Sequence, residues 1–187
     1  MAYGSYEGGL RELIHVLKYG RVRPAAGVLG RMLAEVIQGF GSEFLSALVV
    51  PVPLHSSKLR QRGFNQAEEI ARAALKNLRR SELKFAVGVL SRRRATESQT
   101  GLSDHQRQQN VRGAFVVVSP DGIAGEAVLL IDDVFTTGAT VTECARVLRR
   151  AGADCVFVAT VARVLKSEAT WAKPEEVEEP KTLQAYA

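Results

Sequence analysis

Two adjacent acids, Asp132 and Asp133, are the side chains of this sequence with the clearest capacity for chemistry. They directly follow the apolar run 127–131, whose composition is typical of a strand buried on both faces. Open α/β sheets place their ligands at the carboxyl ends of such strands. Because two buried unpaired acids are costly, we expect both carboxylates to face solvent, a polyol or a metal. The neighbouring hydroxyls of a ribose would offer two donors to this pair.

The composition just after the acids is typical of a phosphate site: Thr136, Thr137, Gly138, Ala139 and Thr140. Gly138 permits a close backbone approach, and a helix is predicted to follow over residues 140–151. The amide groups and the positive dipole end of a helix N-terminus attract a phosphate monoester. Alternatively, Asp133 begins a turn and Thr137 or Thr140 caps the helix, but capping leaves most of these residues unexplained. The stretch therefore predicts a pocket for ribose 5-phosphate.

Positive charge is concentrated in the middle of the chain. Residues 58–112 carry 13 Lys and Arg against 5 Asp and Glu, whereas the whole sequence of 187 residues has a net charge of only +5. Such a block suits an anionic partner, either a polyphosphate or a nucleic acid, although a solvated charged face is the simpler alternative. Only Phe64 and Phe85 are aromatic within it, which argues against a platform that stacks single-stranded bases.

Metal, export and membrane signals are absent from the printed sequence. The two cysteines, Cys144 and Cys155, lie among small and apolar residues, and the three histidines show no ligand spacing. We expect no zinc and no metal held by the protein alone. The first residues lack the basic and apolar regions of an export signal, and no apolar run is long enough to insert in a membrane, so a cytoplasmic location is expected.

Strands and helices are predicted to alternate, which favours an α/β fold with a mostly parallel sheet between helices. The predicted strands are 47–52, 85–90, 114–118, 127–131 and 155–161, and the predicted helices are 10–19, 25–38, 65–78 and 140–151. The first helix places Lys18 on its polar face. Residues 91–113 break the alternation and are predicted to form a long functional loop. The charged residues 166–187 are predicted to be a disordered tail.

The stretch from Val128 to Thr140 resembles the diphosphoribosyl-binding signature of type I phosphoribosyltransferases. Further stretches are similar to the ComF and GntX-like branch of that superfamily: Val50 to His55, Leu59 to Ala67, Ser98 to Leu102 and Arg107 to Phe115. The resemblance covers roughly residues 3–165. Many members carry a cysteine-rich zinc ribbon, which has no counterpart here.

The resemblance implies a type I phosphoribosyltransferase fold over residues 1–165. It would have a small hood built partly from the helical residues 1–40 and a flexible loop at 91–113. The segment after the first predicted strand would grip pyrophosphate through Lys58, Arg60, Arg62 and Gly63. The flexible loop would bring Arg94, Gln99, Arg107 and Asn110 to the leaving group, with Arg92 and Arg93 as further candidates. Asp132 and Asp133 would be the catalytic residues.

The resemblance also implies the ligand, 5-phosphoribosyl diphosphate, bound with Mg²⁺. An enzyme of this family would transfer the phosphoribosyl group to a nitrogen acceptor, which the sequence does not name. Tyr3, Tyr6 and Tyr19 could stack such an acceptor or pack the hood. The alternative is an accessory protein of competence and DNA uptake that binds single-stranded DNA or the competence machinery and uses the pocket as a sensor. The oligomeric state stays open.

Overall fold

The computed structural model describes residues 1–20, 22–40, 46–78, 82–96 and 103–165. The strands are β1 (Ala2–Ser5), β2 (Ala47–Pro51), β3 (Leu83–Phe85), β4 (Leu90–Arg92), β5 (Phe115–Val117), β6 (Ala127–Phe135) and β7 (Cys155–Arg163). The helices are α1 (Gly8–Tyr19), α2 (Ala25–Gln38), α3 (Ser56–Arg62), α4 (Gln66–Asn77), α5 (Asp104–Val111) and α6 (Ala139–Arg150). A short 3₁₀ turn spans Pro120–Gly122.

A parallel five-stranded sheet forms the centre of the molecule in the order β1-β7-β6-β2-β3. Strands β4 and β5 form a separate antiparallel pair. The predicted mostly parallel sheet flanked by helices is therefore confirmed. Strand β6 lies in the middle, and its residues 128 to 131 are fully buried because both faces of the sheet are covered.

Side chains of β6 alternate between two hydrophobic clusters, as the pleat of a strand requires. Leu129 and Ile131 pack into the cluster formed with α1, α2 and α4. Val128 and Leu130 pack into the cluster on the opposite face, which includes residues of α5 and α6. The sheet thus separates one layer of helices from another, and any side chain on β6 is directed to one layer or the other by its position.

Helices α2 and α4 pack closely in parallel. A Cβ atom at Gly30 would lie 2.4 Å from the Cβ of Ala73, so only glycine allows this approach. Nearer the starts of both helices, Arg23 Nη2 lies 3.5 Å from the carbonyl oxygen of Gly63. Both helices therefore begin at the edge of the sheet where the parallel strands end.

Several element boundaries differ from the sequence-based prediction. The predicted strand 85–90 is wrong, since β3 ends at Phe85 and β4 begins only at Leu90. Prediction treated residues 91–113 as one loop, but they contain the end of β4 and the whole of α5. Helix α5 begins with a capping box in which Ser103 and Gln106 satisfy each other's amide groups, a local signal that compensates for its weak apolar pattern. Strand β1 was not predicted, because four residues give too short a pattern.

Residues 1–40 contribute to the sheet as well as to its cover. Strand β1 pairs with β7 at one edge of the sheet, and α2 packs against both α4 and β7.

The predicted disordered tail, 166–187, lies outside the described residues. Within the part of the chain that is described, no helix has the length and apolar character needed to cross a membrane.

Candidate functional site

The two acids occupy opposite faces of the sheet because β6 continues past them to Phe135. Asp132 has the parity of Leu130 and so lies on the face covered by α6, whereas Asp133 has the parity of Ile131 and lies on the face covered by α1. Both carboxylates nevertheless line one cleft at the end of the sheet. The expectation that they follow the end of the strand is wrong, since the strand runs two residues further.

Asp133 is paired with a lysine that the sequence placed on a polar surface. Lys18 Nζ lies 2.7 Å from Asp133 Oδ2, and the two side chains are only 18% and 12% exposed. Burial alone would lower the pKa of Lys18, but the attraction and hydrogen bond of Asp133, together with the attraction of Asp132 and Tyr6, raise the pKa above its ordinary value. Helical spacing assigned Lys18 to the polar face of α1 and therefore did not reveal this role. In the structure Lys18 lies near the end of α1, directly after the buried core residue Leu17.

Asp132 has a strongly altered proton affinity. Burial of its carboxyl and repulsion by Asp133 raise its pKa from 3.8 to about 7, against the opposing attraction of Lys18 and Arg92. Its Oδ1 also accepts a hydrogen bond from the amide of Asp133 at 2.9 Å. The carboxyl is therefore divided between its acid and its ionised form near neutral pH, and a cation placed beside it would shift it to the ionised form.

The turn from β6 into α6 places the start of the helix in the wall of the cleft. Gly138 occupies the N-cap position of α6 with a left-handed φ of +80°. Because glycine has no side chain, this position offers no capping group to the helix. The amide of Ala139 makes a long capping-type contact of 3.4 Å to Thr137 Oγ1. Thr136, Gly138, Ala139 and Thr140 line the cleft. The turn thus presents hydroxyl groups and helix amides on one side of the cleft, as a phosphate site requires.

Basic side chains also line the cleft. Lys58 and Arg62 come from α3, Arg92 from β4 and Arg107 from α5. Burial, together with repulsion by Arg92, Arg62 and Lys18, lowers the pKa of Lys58. A lysine whose charge is disfavoured by its neighbours marks a region with excess positive potential, which an anion would relieve.

The segment after β2 that was predicted to grip pyrophosphate is largely helical. His55 caps α3 by accepting from the amide of Ser57 at 3.3 Å, and Gly63 ends the helix with φ +82°. Arg60 lies on the exposed side of α3, and neither it nor Gly63 lines the cleft. Of the four residues predicted to hold pyrophosphate, the structure brings Lys58 and Arg62 into the cleft.

Helix α5 is held in place by contacts outside the cleft. Arg94 donates to the carbonyl oxygens of Asn110 at 2.8 Å and Arg112 at 3.0 Å, so it anchors the end of α5 and does not line the cleft. Glu143 on α6 accepts from the amide of Gly113 at 2.7 Å. Of the four flexible-loop candidates only Arg107 lines the cleft, and Gln99 lies outside the described residues.

Three buried donors that line the cleft have no hydrogen-bond partner among the described residues: Gln66 Nε2, Arg92 Nε and Arg107 Nε. Gln66 is only 2% exposed, and its Oε1 accepts from Arg62 Nη1 at 2.7 Å. Buried donors without partners are costly in a folded protein. All three belong to residues that line the cleft, so these unsatisfied donors are concentrated around it.

The cleft has a volume of about 410 Å³, which suits a small ligand. The cleft is also lined by Lys18, Asn65 and Gln66, which the sequence analysis did not place in the site. It is lined as well by Tyr6, Tyr19 and Arg92, which were only further candidates. Tyr19 lies beneath Arg62, whose guanidinium carbon is 5.5 Å from the ring centre. Tyr3 does not line the cleft. These residues are distant in sequence, and only the fold brings them together.

The acid pair provides few metal ligands. Across the described ranges, no group of three or more His, Cys, Asp or Glu side chains is arranged to hold a metal ion. Two carboxylates still fit Mg²⁺, which commonly binds one or two protein carboxylates and completes its shell with ligand phosphates and water. The donor set thus fits Mg²⁺ that arrives with a phosphorylated ligand.

Comparisons with known proteins agree with this geometry. A family model described as "Phosphoribosyl transferase domain" matches residues 59–182. The DNA utilization protein YhgH of Escherichia coli K12 is 34% identical over 163 residues, covering 86% of this chain and 70% of that protein. Competence protein F of Haemophilus influenzae is 34% identical over 120 residues, which cover 64% of this chain and 51% of that protein.

Among solved structures, a glutamine phosphoribosylpyrophosphate amidotransferase from Bacillus subtilis aligns with a TM-score of 0.45 and 25% identity, covering 74% of this chain and 26% of its own. The family match and the relatives that share a third of their residues are decisive. The chain belongs to the phosphoribosyl transferase domain family, with the type I fold, and to its ComF-like branch.

Proposed function

We propose that the cleft binds 5-phosphoribosyl diphosphate. The observation that carries this proposal is the lining of the cleft, where two carboxylates, the start of α6 and five basic side chains come together. In the proposed arrangement the ribose hydroxyls contact Asp132 and Asp133, and the 5-phosphate lies against residues 136–140. The diphosphate lies among Lys58, Arg62 and the unpaired donors.

The charge balance of the cleft supports an anion with several phosphates. Among the described residues that line it, five are basic, namely Lys18, Lys58, Arg62, Arg92 and Arg107, and two are acidic, namely Asp132 and Asp133. Lys18 neutralises Asp133 directly, so the remaining four cations exceed the one remaining acid. An uncharged ligand would leave this excess uncompensated, whereas a diphosphate would offset it.

Mg²⁺ is part of the proposal, held by Asp132, Asp133 and the diphosphate oxygens. When bound, Mg²⁺ would neutralise charge on the departing diphosphate. The protein's own contribution would be to fix the ribose and the phosphate at two points and to exclude water with Tyr6 and Tyr19 at the rim.

Transfer to a nitrogen acceptor is the proposed reaction. The acceptor nitrogen would form a bond to C1 of the ribose while the bond from C1 to the diphosphate oxygen breaks, and pyrophosphate would leave with the electron pair. The positive charge that develops on the ring resembles that of glycoside hydrolysis. The proposal includes the cytoplasmic location expected from the sequence.

Calorimetry with 5-phosphoribosyl diphosphate and Mg²⁺ tests the binding site. The double variant Asp132→Asn with Asp133→Asn should lose Mg²⁺-dependent binding, because the hydroxyl and metal acceptors are weakened. Asp121→Asn with Asp154→Asn makes the same charge change at two exposed acids outside the cleft and should bind as the wild type does. Unchanged affinity in the cleft variant would exclude this assignment.

Release of pyrophosphate in the presence of candidate nitrogen bases tests turnover. Release that depends on one base would identify the acceptor class. Binding without release for any base would favour a sensor that recognises the sugar diphosphate without consuming it.

A role in DNA uptake is the second candidate function. It is supported by the names of two relatives, a DNA utilization protein and a competence protein, and by exposed cations outside the cleft. In this case the cleft would sense 5-phosphoribosyl diphosphate while another surface holds single-stranded DNA. Gel shifts with single-stranded DNA over a salt series test it, and an absence of binding at low salt would exclude it.

A further inference from the structure

A second concave surface lies between α2 and α4, outside the cleft. This groove has a volume of about 280 Å³, and its lining includes four basic side chains, Arg23, Arg31, Arg72 and Lys76, and one acid, Glu69. The small residues Ala26, Gly27 and Ala73 also line it. Two of the cations, Arg23 and Arg31, lie outside the basic block at 58–112, so the sequence did not associate them with the other two.

The groove begins beside the cleft and runs away from it. Arg23 contacts the carbonyl oxygen of Gly63, next to Arg62 in the cleft, whereas Gly30 meets Ala73 further along the two parallel helices. From Arg23 to Arg31 the helical rise amounts to roughly 12 Å. Arg72 and Lys76 are four residues apart and so lie on the same side of α4. The cations therefore form an elongated track and not a single point of charge.

Two of the guanidinium groups are fixed on aromatic rings. The Arg23 guanidinium carbon lies 5.1 Å from the ring centre of Phe64, and that of Arg72 lies 4.8 Å from the ring centre of Phe85. Arg72 also pairs with Glu68 at 2.7 Å. Stacked guanidinium groups lose less side-chain freedom when they bind a phosphate, because their orientation is already restricted.

The other two cations have no ion-pair partner among the described residues. Arg31 and Lys76 are exposed, and neither pairs with a carboxylate in the part of the chain that the structure describes. Exposed unpaired cations beside a concave floor of small side chains leave room for an extended anion.

We propose that this groove binds the sugar-phosphate backbone of a single strand of nucleic acid, with Arg31 and Lys76 as its main phosphate contacts. The proposal rests on the second candidate function in one respect only, the choice of nucleic acid as the anion. Phe64 is 6% exposed and Phe85 is half-buried beneath Arg72, so neither ring offers a free face to a base. Recognition is therefore of the backbone, independent of sequence and steeply dependent on salt.

Fluorescence anisotropy of a labelled oligothymidylate over a salt series tests this groove. Arg31→Gln with Lys76→Gln should weaken binding about tenfold at low salt. The slope of log affinity against log salt should become shallower by about 1.4, since each lost phosphate contact on a single strand changes it by about 0.7. Glu69→Gln should strengthen binding a few-fold, because it removes the acid that faces the same phosphates.

Matched controls separate this proposal from non-specific charge effects. Arg11→Gln with Arg150→Gln removes the same charge from two exposed positions outside the groove and the cleft, and it should leave the affinity unchanged. An equal loss in both double variants, or no loss in the groove variant, overturns the proposal. So does equally strong competition by polyglutamate, which would make the groove a site for acidic peptides.

The outcome for the cleft is measured independently. Calorimetry with 5-phosphoribosyl diphosphate should give the same affinity for the groove variant as for the wild type. If Lys58→Gln abolishes oligothymidylate binding while the groove variant retains it, the strand binds in the cleft and the groove proposal is wrong. Failure of 5-phosphoribosyl diphosphate binding in the wild type would reject the cleft proposal alone.

Discussion

Lys18 Nζ and Asp133 Oδ2 lie 2.7 Å apart and connect the last turn of α1 to the central strand β6. This ion pair places a protein cation directly beside the acid pair. It also gives α1 a fixed position at the mouth of the cleft, because both side chains are largely withdrawn from water. The pair thus couples the stability of the fold to the electrostatics of the candidate site.

Replacing Lys18 with Met should destabilise the fold by about 3 kcal/mol near neutral pH, because it leaves Asp133 buried without a partner. The raised pKa of Lys18 means that its stabilising contribution is complete below its ordinary value of 10.5 and is lost only as the pH rises through the higher folded value. Chemical denaturation at neutral pH measures the change. Lys58→Met is the matched control: it removes a lysine with no carboxylate partner in the described residues, so it should cost little stability.

The pH dependence of stability should reveal Asp132. Its pKa is raised from 3.8 to about 7, so the folded state holds a proton that the unfolded state has lost between these values. The free energy of unfolding should therefore fall as the pH rises from about 4 to about 7 and then level off. Asp132→Asn should remove this part of the fall. Denaturant titrations of both proteins across this range measure it, and identical profiles would contradict the raised pKa.

Local sequence signals predicted the helices α1, α2, α4 and α6, the strands β2, β5, β6 and β7, and the turn before α6, but not the short elements between them. They also did not predict the long-range partners. The run from residue 127, the acids and the threonine-rich turn are contiguous, so their composition alone located a strand followed by a helix start. Lys18 and Gln66 line the cleft because elements that are distant in sequence pack together. The periodicity of hydrophobic residues within one element does not predict such packing. Arg94 illustrates the opposite case, since its charge suggested ligand binding but its Nη2 donates to carbonyl oxygens at the end of α5.

Gly138→Ala tests whether the turn needs glycine. The left-handed φ of +80° would strain any other residue, and the new Cβ would lie 2.7 Å from the ring of Phe135. We expect a loss of about 2 kcal/mol in unfolding free energy and weaker binding of ribose 5-phosphate in calorimetry. Adding Phe135→Leu should relieve the clash and restore part of the stability, while the backbone strain of about 1 kcal/mol remains. Full recovery would show that φ is not the constraint.

Gln66→Glu tests the unpaired donors. The new carboxylate would keep an acceptor for Arg62, now 2.7 Å from Gln66 Oε1, but would remove Nε2 as a donor and repel a diphosphate. Affinity for 5-phosphoribosyl diphosphate should fall at least about tenfold, while the fold is retained. Gln109→Glu adds the same charge at an exposed position on α5 and should leave the affinity unchanged. Equal affinities in the two variants would remove Gln66 from the site.

Lys58 and Arg60 provide the sharpest comparison within α3, because they are two residues apart and carry the same charge. Only Lys58 lines the cleft, whereas Arg60 is exposed outside it. Lys58→Gln should weaken binding of 5-phosphoribosyl diphosphate about tenfold and reduce the salt dependence of that binding, whereas Arg60→Gln should change neither. Calorimetry at two salt concentrations measures both quantities. A loss in the Arg60 variant as large as in the Lys58 variant would mean that α3 turns on binding and presents its other side to the ligand.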